Sequence, residues 1–205
     1  VIGIIEGSDP NLKNEYIVIG AHYDHVGYHF KGKEKIVFKG ADDNASGVDG
    51  VIEIGRAIYK NREQFGRSIV LIAFDGEESG LIGSTQFVKD EIIPLVQIKL
   101  MMSIDMIGML SKNKGIELYG TGSFTDAKLI AEQIASTLQL PIKKDDKGIA
   151  NRTDTKPFGD KGIPAIHFFT GTVSPYHKPE DDANLLDYDG MAKISNFIYK
   201  FSLQM

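Results

Sequence analysis

Apolar positions along this chain follow two rhythms. IVIGA (17–21), SIVLIAF (68–74), IKLMMSIDMIG (98–108) and IPAIHFFTG (163–171) are apolar at nearly every position, the mark of strands covered on both faces of a sheet. KIVF (35–38) and GIELYG (115–120) read as shorter strands. Between them the spacing turns helical. In SGVDGVIEIGRAIYKN (46–61) Val48, Val51, Ile52, Ile54 and Ile58 share a face, with Ser46 as the N-cap. LIGSTQFVKDEI (81–92) is helical and ends before Pro94, SFTDAKLIAEQIASTLQL (123–140) is amphipathic and stops at Pro141, and 186–205 forms a last helix. Strands alternating with helices, without repeats or a linker, predict one α/β domain over 1–205 with a largely parallel sheet.

Polar residues gather where these strands end. His22-Tyr23-Asp24, Asp42-Asp43-Asn44, Glu77-Glu78, Asp105 and Tyr176-His177 each follow or interrupt an apolar run, and open α/β sheets bind ligands beyond the carboxyl ends of their strands. Each cluster also has a plain structural reading. DDNASG suits a turn before a helix, and paired glutamates suit a helix N-terminus. Asp105, set within LMMSIDMIGML, resists such a reading, because a lone buried acid is costly unless paired or coordinated. Two imidazoles with several carboxylates suit zinc, cobalt or manganese, and the number of acids exceeds what one tetrahedral ion needs, which suggests two ions sharing a bridge.

Composition narrows the field. A net charge of -5 argues against a nucleic-acid surface, and the absence of cysteine removes thiolate zinc sites and cysteine nucleophiles. No apolar run approaches the roughly 20 residues that span a bilayer. The chain opens VIGIIEG, without an initiator Met or a signal-peptide pattern, and reads as a processed or trimmed fragment.

GAHYDHVG, GADDNASGV, FDGEESGLIGS, SIDMIGM and YHKPEDD, in that order across residues 20–182, resemble the co-catalytic dizinc aminopeptidases of the bacterial leucyl aminopeptidase type, metallopeptidase family twenty-eight. The resemblance implies a three-layer α/β/α sandwich around a mixed sheet of about eight strands. It implies His22, Asp105 and a bridging Asp43 on one zinc, and Glu78, His177 and the same Asp43 on the second. Asp24 would orient His22, Glu77 would be the general base, and Tyr176 would donate a hydrogen bond to the developing oxyanion. It also implies a cis peptide bond between Asp43 and Asn44. The activity implied is hydrolysis of the N-terminal residue of a peptide by a water held between two zinc ions. Glu77 would take the proton of that water and return it to the leaving amine. Adjacent glutamates then make sense, since neighbouring residues leaving a strand project in different directions.

One motif departs from the family. Where Ser-Asp-His is common the chain has Thr153-Asp154-Thr155, so Asp154 matches and the histidine is missing. The usual N-terminal helix and leading strand are expected upstream of Val1, and a secreted or periplasmic location follows from the resemblance alone. Two other functions fit the same scaffold: a glutaminyl cyclase-like single-zinc acyltransferase, and an inactive binding module. DNASG and the Tyr before His177 favour the peptidase, as do intact ligands at every motif. With no arginine cluster to clamp a substrate carboxylate, an aminopeptidase is expected, with Phe168, Phe169 and the IANRTD loop as pocket lining. Oligomeric state has no signature here. His25 and His29 read as loop residues or supports behind a ligand, His167 as a core histidine, and IKKDDKG (142–148) as a solvated charged loop.

Overall fold

The computed structural model describes residues 1–205. The strands are β1 (Ile2–Ile5), β2 (Tyr16–His22), β3 (Tyr28–Lys31), β4 (Glu34–Val37), β5 (Ser68–Phe74), β6 (Ile98–Ile104), β7 (Ile116–Tyr119), β8 (Ile142–Asp146) and β9 (Ala165–Phe169). The helices are α1 (Ser46–Lys60), α2 (Ile82–Lys89), α3 (Leu110–Asn113), α4 (Ala127–Leu138), α5 (Thr155–Gly159) and α6 (Tyr188–Ser202). Seven strands form the central sheet in the order β1-β5-β2-β6-β9-β7-β8, while β3 and β4 make a separate hairpin. The pairs β2·β5, β2·β6, β6·β9 and β7·β8 are parallel, and β1·β5 and β7·β9 are antiparallel.

The continuous apolar runs are explained by two cores. Alternate residues of a strand point to opposite faces, so Ile17, Ile19 and Ala21 of β2 join Leu100, Met102 and Ile104 of β6 beneath α1, α4 and α6. Val18 instead joins Val70, Ile72, Phe74 and Met101, packed against Phe87 of α2 and Phe158 of α5. The rings of Phe74, Phe87 and Phe158 meet pairwise at 5.8–6.4 Å on that second face. Helices on both faces of a mixed sheet make the expected three-layer sandwich.

Three expectations are corrected and one further strand is added. The sheet has seven strands, because KIVF joins the hairpin and not the central sheet. IKKDD is the edge strand β8, with Lys143 and Lys144 exposed; charged side chains on an edge strand look like a loop by composition, yet they protect the edge. IGII near the N-terminus is the opposite edge, β1, too short and exposed to stand out. Ser46 is not the N-cap of α1: Ala45 holds that position, and the Ser46 hydroxyl donates to the Asp42 carbonyl at 2.7 Å and accepts the Ile107 N–H at 3.1 Å.

Candidate metal centre

The order β5-β2-β6-β9 places four consecutive carboxyl ends side by side. His22 is the last residue of β2 and Asp105 directly follows β6. Glu77 and Glu78 occupy the turn after β5, and His177 lies on the segment after β9. Asp43 comes from an irregular turn, Ala41–Ala45, that precedes α1, and its peptide bond to Asn44 is cis, as the resemblance implied. The buried Asp181 carboxylate holds this turn, accepting the Asp42 N–H at 3.0 Å from each oxygen and the Asp43 N–H at 3.1 Å. The Asn44 side chain ties the turn to β6. Its Nδ2 donates to the Ile104 carbonyl at 3.0 Å, and its Oδ1 accepts the Gly47 and Met106 N–H groups at 3.0 and 3.2 Å.

All five predicted ligand side chains converge. His22 Nε2 lies 3.5 Å from Asp43 Oδ1 and 3.5 Å from Asp105 Oδ1. His177 Nε2 lies 3.1 Å from Asp43 Oδ2 and 3.0 Å from Glu78 Oε1. Asp43 therefore turns one oxygen toward each group, as a bridging carboxylate does. The His22 Nδ1–H donates to the Asp24 carbonyl at 3.1 Å, which fixes the tautomer and leaves Nε2 free as a donor atom. Buried atoms without a hydrogen-bond partner include Asp43 Oδ2, Glu78 Oε1, Asp105 Oδ1 and His177 Nε2. Buried polar atoms are almost always paired, so unpaired donor atoms converging on common points are what a cation site requires.

The metal-free electrostatics are correspondingly strained. Burial, with Asp105 and Glu78 close by, pushes the Asp43 carboxyl up to about 9. Burial likewise raises Glu77 to about 8, reinforced by Asp105, Asp154 and Glu78. For His22, burial works downward but Asp105, Glu77 and Asp43 outweigh it and lift the imidazole to about 10. Burial would raise Glu78 and Asp105 too, yet the histidines around them hold both below their ordinary values. Clustered acids in a buried pocket thus hold protons more tightly than they would in water.

The remaining predicted residues lie close by. Asp24 does more than the resemblance implied: its carboxylate lies 3.6 Å from His22 Nδ1, and its Oδ1 and Oδ2 also accept the N–H groups of Glu77 and Glu78 at 3.1 and 3.2 Å. It organises the glutamate turn, and its backbone carbonyl orients His22. Tyr176 stacks on His177 with ring centroids 3.8 Å apart, and burial beside Asp43 raises its hydroxyl to about 12. Glu77, Tyr176, Phe169 and Ile149–Thr153 line a cleft of about 600 Å³ that opens onto the ligands. Phe168, expected as lining, is instead fully buried in the core under α6, because it alternates with Phe169 along β9. His167 is buried as expected but also borders the cleft. Thr155, where the family carries histidine, is buried with its hydroxyl 2.7 Å from that of Thr153.

His25 is the residue sequence reasoning set aside. Its Nδ1 lies 3.2 Å from Glu78 Oε1 and 3.6 Å from Asp43 Oδ2, so it belongs to the group formed by Asp43, Glu78 and His177. The signal was present in His22-Tyr23-Asp24-His25, a second imidazole three residues after the first.

A family profile, Peptidase family M28, matches residues 1–202. The chain belongs to Peptidase family M28. Among M28 relatives, the aminopeptidase YwaD of Bacillus subtilis is 28% identical over 97% of this chain and 42% of its own length. The chain thus spans less than half of that protein. The solved structure of BSAP, a zinc aminopeptidase from Bacillus subtilis, superposes with a TM-score of 0.78 at 24% identity, over 98% of this chain and 48% of that one. Glutaminyl cyclase from Porphyromonas gingivalis superposes with a TM-score of 0.76 at 20% identity, over 98% and 75%. At these identities the superpositions speak for the fold.

Proposed function

We propose that this M28 chain is the catalytic domain of a zinc-dependent aminopeptidase that holds two ions. The observation that carries the reading is Asp43, with Oδ1 facing His22 and Asp105 and Oδ2 facing Glu78 and His177. His22, Asp43 and Asp105 would hold one ion, and Asp43, Glu78 and His177 the other; the unpaired donor atoms of both groups fit a small divalent cation. Bound zinc would supply Lewis acidity toward the scissile carbonyl and lower the pKa of an attacking water.

The protein's own groups supply the rest. Glu77 faces the cleft beside the ligands, where its carboxylate can take a proton from the attacking water and return it to the leaving amine. The Tyr176 hydroxyl stays protonated at neutral pH and can donate to the oxygen on which charge develops. A concentration of acids around the cleft suits a substrate that presents a free, positively charged amino terminus.

Two variants test the assignment. Glu77→Gln keeps size and hydrogen bonding but cannot accept the proton, so kcat should fall at least about 10²-fold with zinc content unchanged. Glu78→Gln should lose zinc affinity and become dependent on added zinc. Equal zinc loss in both variants, or an active Glu77→Gln, would overturn the roles. The second reading, a single-zinc cyclase, is kept because the same fold is seen in glutaminyl cyclase from Porphyromonas gingivalis. Aminoacyl anilides, an N-terminal glutaminyl peptide and zinc per chain separate the two, since the cyclase reading requires one zinc and turnover of the glutaminyl peptide alone.

A further inference from the structure

We propose that His25 is a sixth ligand, bound directly to the ion shared by Asp43, Glu78 and His177, and that this makes the Glu78 position the tighter one and the first to load. The proposal rests on the reading of the pocket as a metal centre. One position then has four protein donors, two imidazoles and two carboxylates, against three at the His22–Asp43–Asp105 position.

Four observations support it. The His25 side chain is only 9% exposed, and neither ring nitrogen has a hydrogen-bond partner, a costly state for a buried imidazole with no other role. His25 Nδ1 lies 3.2 Å from Glu78 Oε1 but out of line for a hydrogen bond to it, whereas His22 Nδ1 does hydrogen-bond to the Asp24 carbonyl. The spacings fit shared coordination. Donors about 2.0–2.1 Å from a tetrahedral ion lie about 3.3 Å from one another. The four imidazole–carboxylate separations are 3.2 and 3.6 Å from His25 and 3.1 and 3.0 Å from His177. The two imidazoles also stand edge to face, with centroids 5.5 Å apart, so neither ring blocks the other's nitrogen.

The backbone also makes room for this ring. Gly40 has φ 64°, and a Cβ there would come within 2.6 Å of the Asp43 carbonyl oxygen and within 2.7 and 2.8 Å of Cγ and Cδ2 of His25. Any larger residue would press on both the Asp43 turn and the imidazole. A glycine with a left-handed backbone at this point seats His25 against the ligands.

Four donors close a tetrahedral site, whereas three leave a position for water or substrate. The Glu78 position would therefore retain its ion most firmly, and the His22 position would exchange more readily.

The first test uses the wild-type protein. Wild-type protein labelled with ¹⁵N in its imidazoles is stripped of metal and titrated with zinc chloride, and the ring-nitrogen resonances are followed. Of the five histidines, three (His22, His25 and His177) should take metal-bound shifts at saturation, with His25 and His177 changing before His22. Shifts in His22 and His177 alone would overturn the proposal while leaving the metal centre intact; shifts in none would overturn both. If all three shift but His22 leads, the loading order is refuted and the ligand assignment stands. His25→Ala assigns the His25 signal, and chelator competition on that variant should show the first zinc weakened at least about 10²-fold, beyond what loss of a group behind a ligand costs. A loss smaller than about 10²-fold, the range for a group behind a ligand, would overturn the proposal.

Discussion

Asp24→Asn probes how the two glutamates are held. The native carboxylate accepts one N–H on each oxygen, from Glu77 at 3.1 Å and Glu78 at 3.2 Å. Asparagine offers one oxygen and one NH₂, so one N–H loses its acceptor and meets a donor, and the other bond loses its charge. A hydrogen bond to a charged group contributes about 1.5–3 kcal/mol. Loss of one and weakening of the other gives a destabilisation of about 2–4 kcal/mol. For a chain of this size each kcal/mol moves Tm by about 2–4 °C, so calorimetry of the metal-free protein should show a fall of about 4–16 °C. The turn carries both the proposed base and a proposed ligand, so kcat should fall about 10- to 100-fold, as expected for a displacement approaching 1 Å. His22 should be spared, because its Nδ1–H donates to the Asp24 backbone carbonyl, which the substitution retains. A Tm within about 1 °C of the parent, outside the shift that the lost bonds imply, would refute the reasoning. So would zinc loss confined to the His22 position, which would show the carboxylate acting on the imidazole.

Three further outcomes follow from the same geometry. In the metal-free protein His22, at about 10 against 6.5, and Asp43 and Glu77, at about 9 and 8 against 3.8 and 4.5, bind protons more tightly folded than unfolded. Their contribution therefore declines as pH rises, the acids' from about pH 4 and the imidazole's from about 6.5; melting with EDTA should show Tm falling from pH 7 to 9, zinc should restore more at pH 9, and a rising metal-free Tm would contradict this. Asp181→Ala strips the acceptor from two buried N–H groups and should cost at least about 3 kcal/mol in urea unfolding while weakening zinc binding; an effect on stability alone would show that Asp181 does not position Asp43. Phe158→Ala empties a fully buried position against Phe74 and Phe87 and should cost about 3–5 kcal/mol in the same assay, with a loss under about 1 kcal/mol showing that the cluster repacks.

The central strands were legible because burial on both faces leaves an unbroken apolar run, as in β2, β5 and β6. The edges were not, because a charged edge such as β8 satisfies composition rules for a loop. Ligand residues were readable from acids and imidazoles placed at strand ends, with the order of motifs supplied by the family resemblance. What escaped was tertiary. Nothing local says that the Asp24 carboxylate reaches amides 53 and 54 residues away, or that Gly40 clears space for His25. Ser46 misled for the same reason, since its hydroxyl caps nothing locally and accepts from Ile107 across the fold.

The Asn44 side chain has a consequence for how ions come and go. It joins the segment bearing Asp43 to the segment bearing Asp105 through two bonds between neutral amide groups, and a third, from the Gly47 N–H, fixes it to its own segment. Two carboxylates that repel one another are thus mounted on a frame with no charge of its own, and no proton or cation is needed to hold that frame together. The entropy of bringing the donors together is lost when the chain folds, before any ion arrives. Ion capture is then a change of charge within a standing cavity, unlike small zinc domains whose folding waits on the metal.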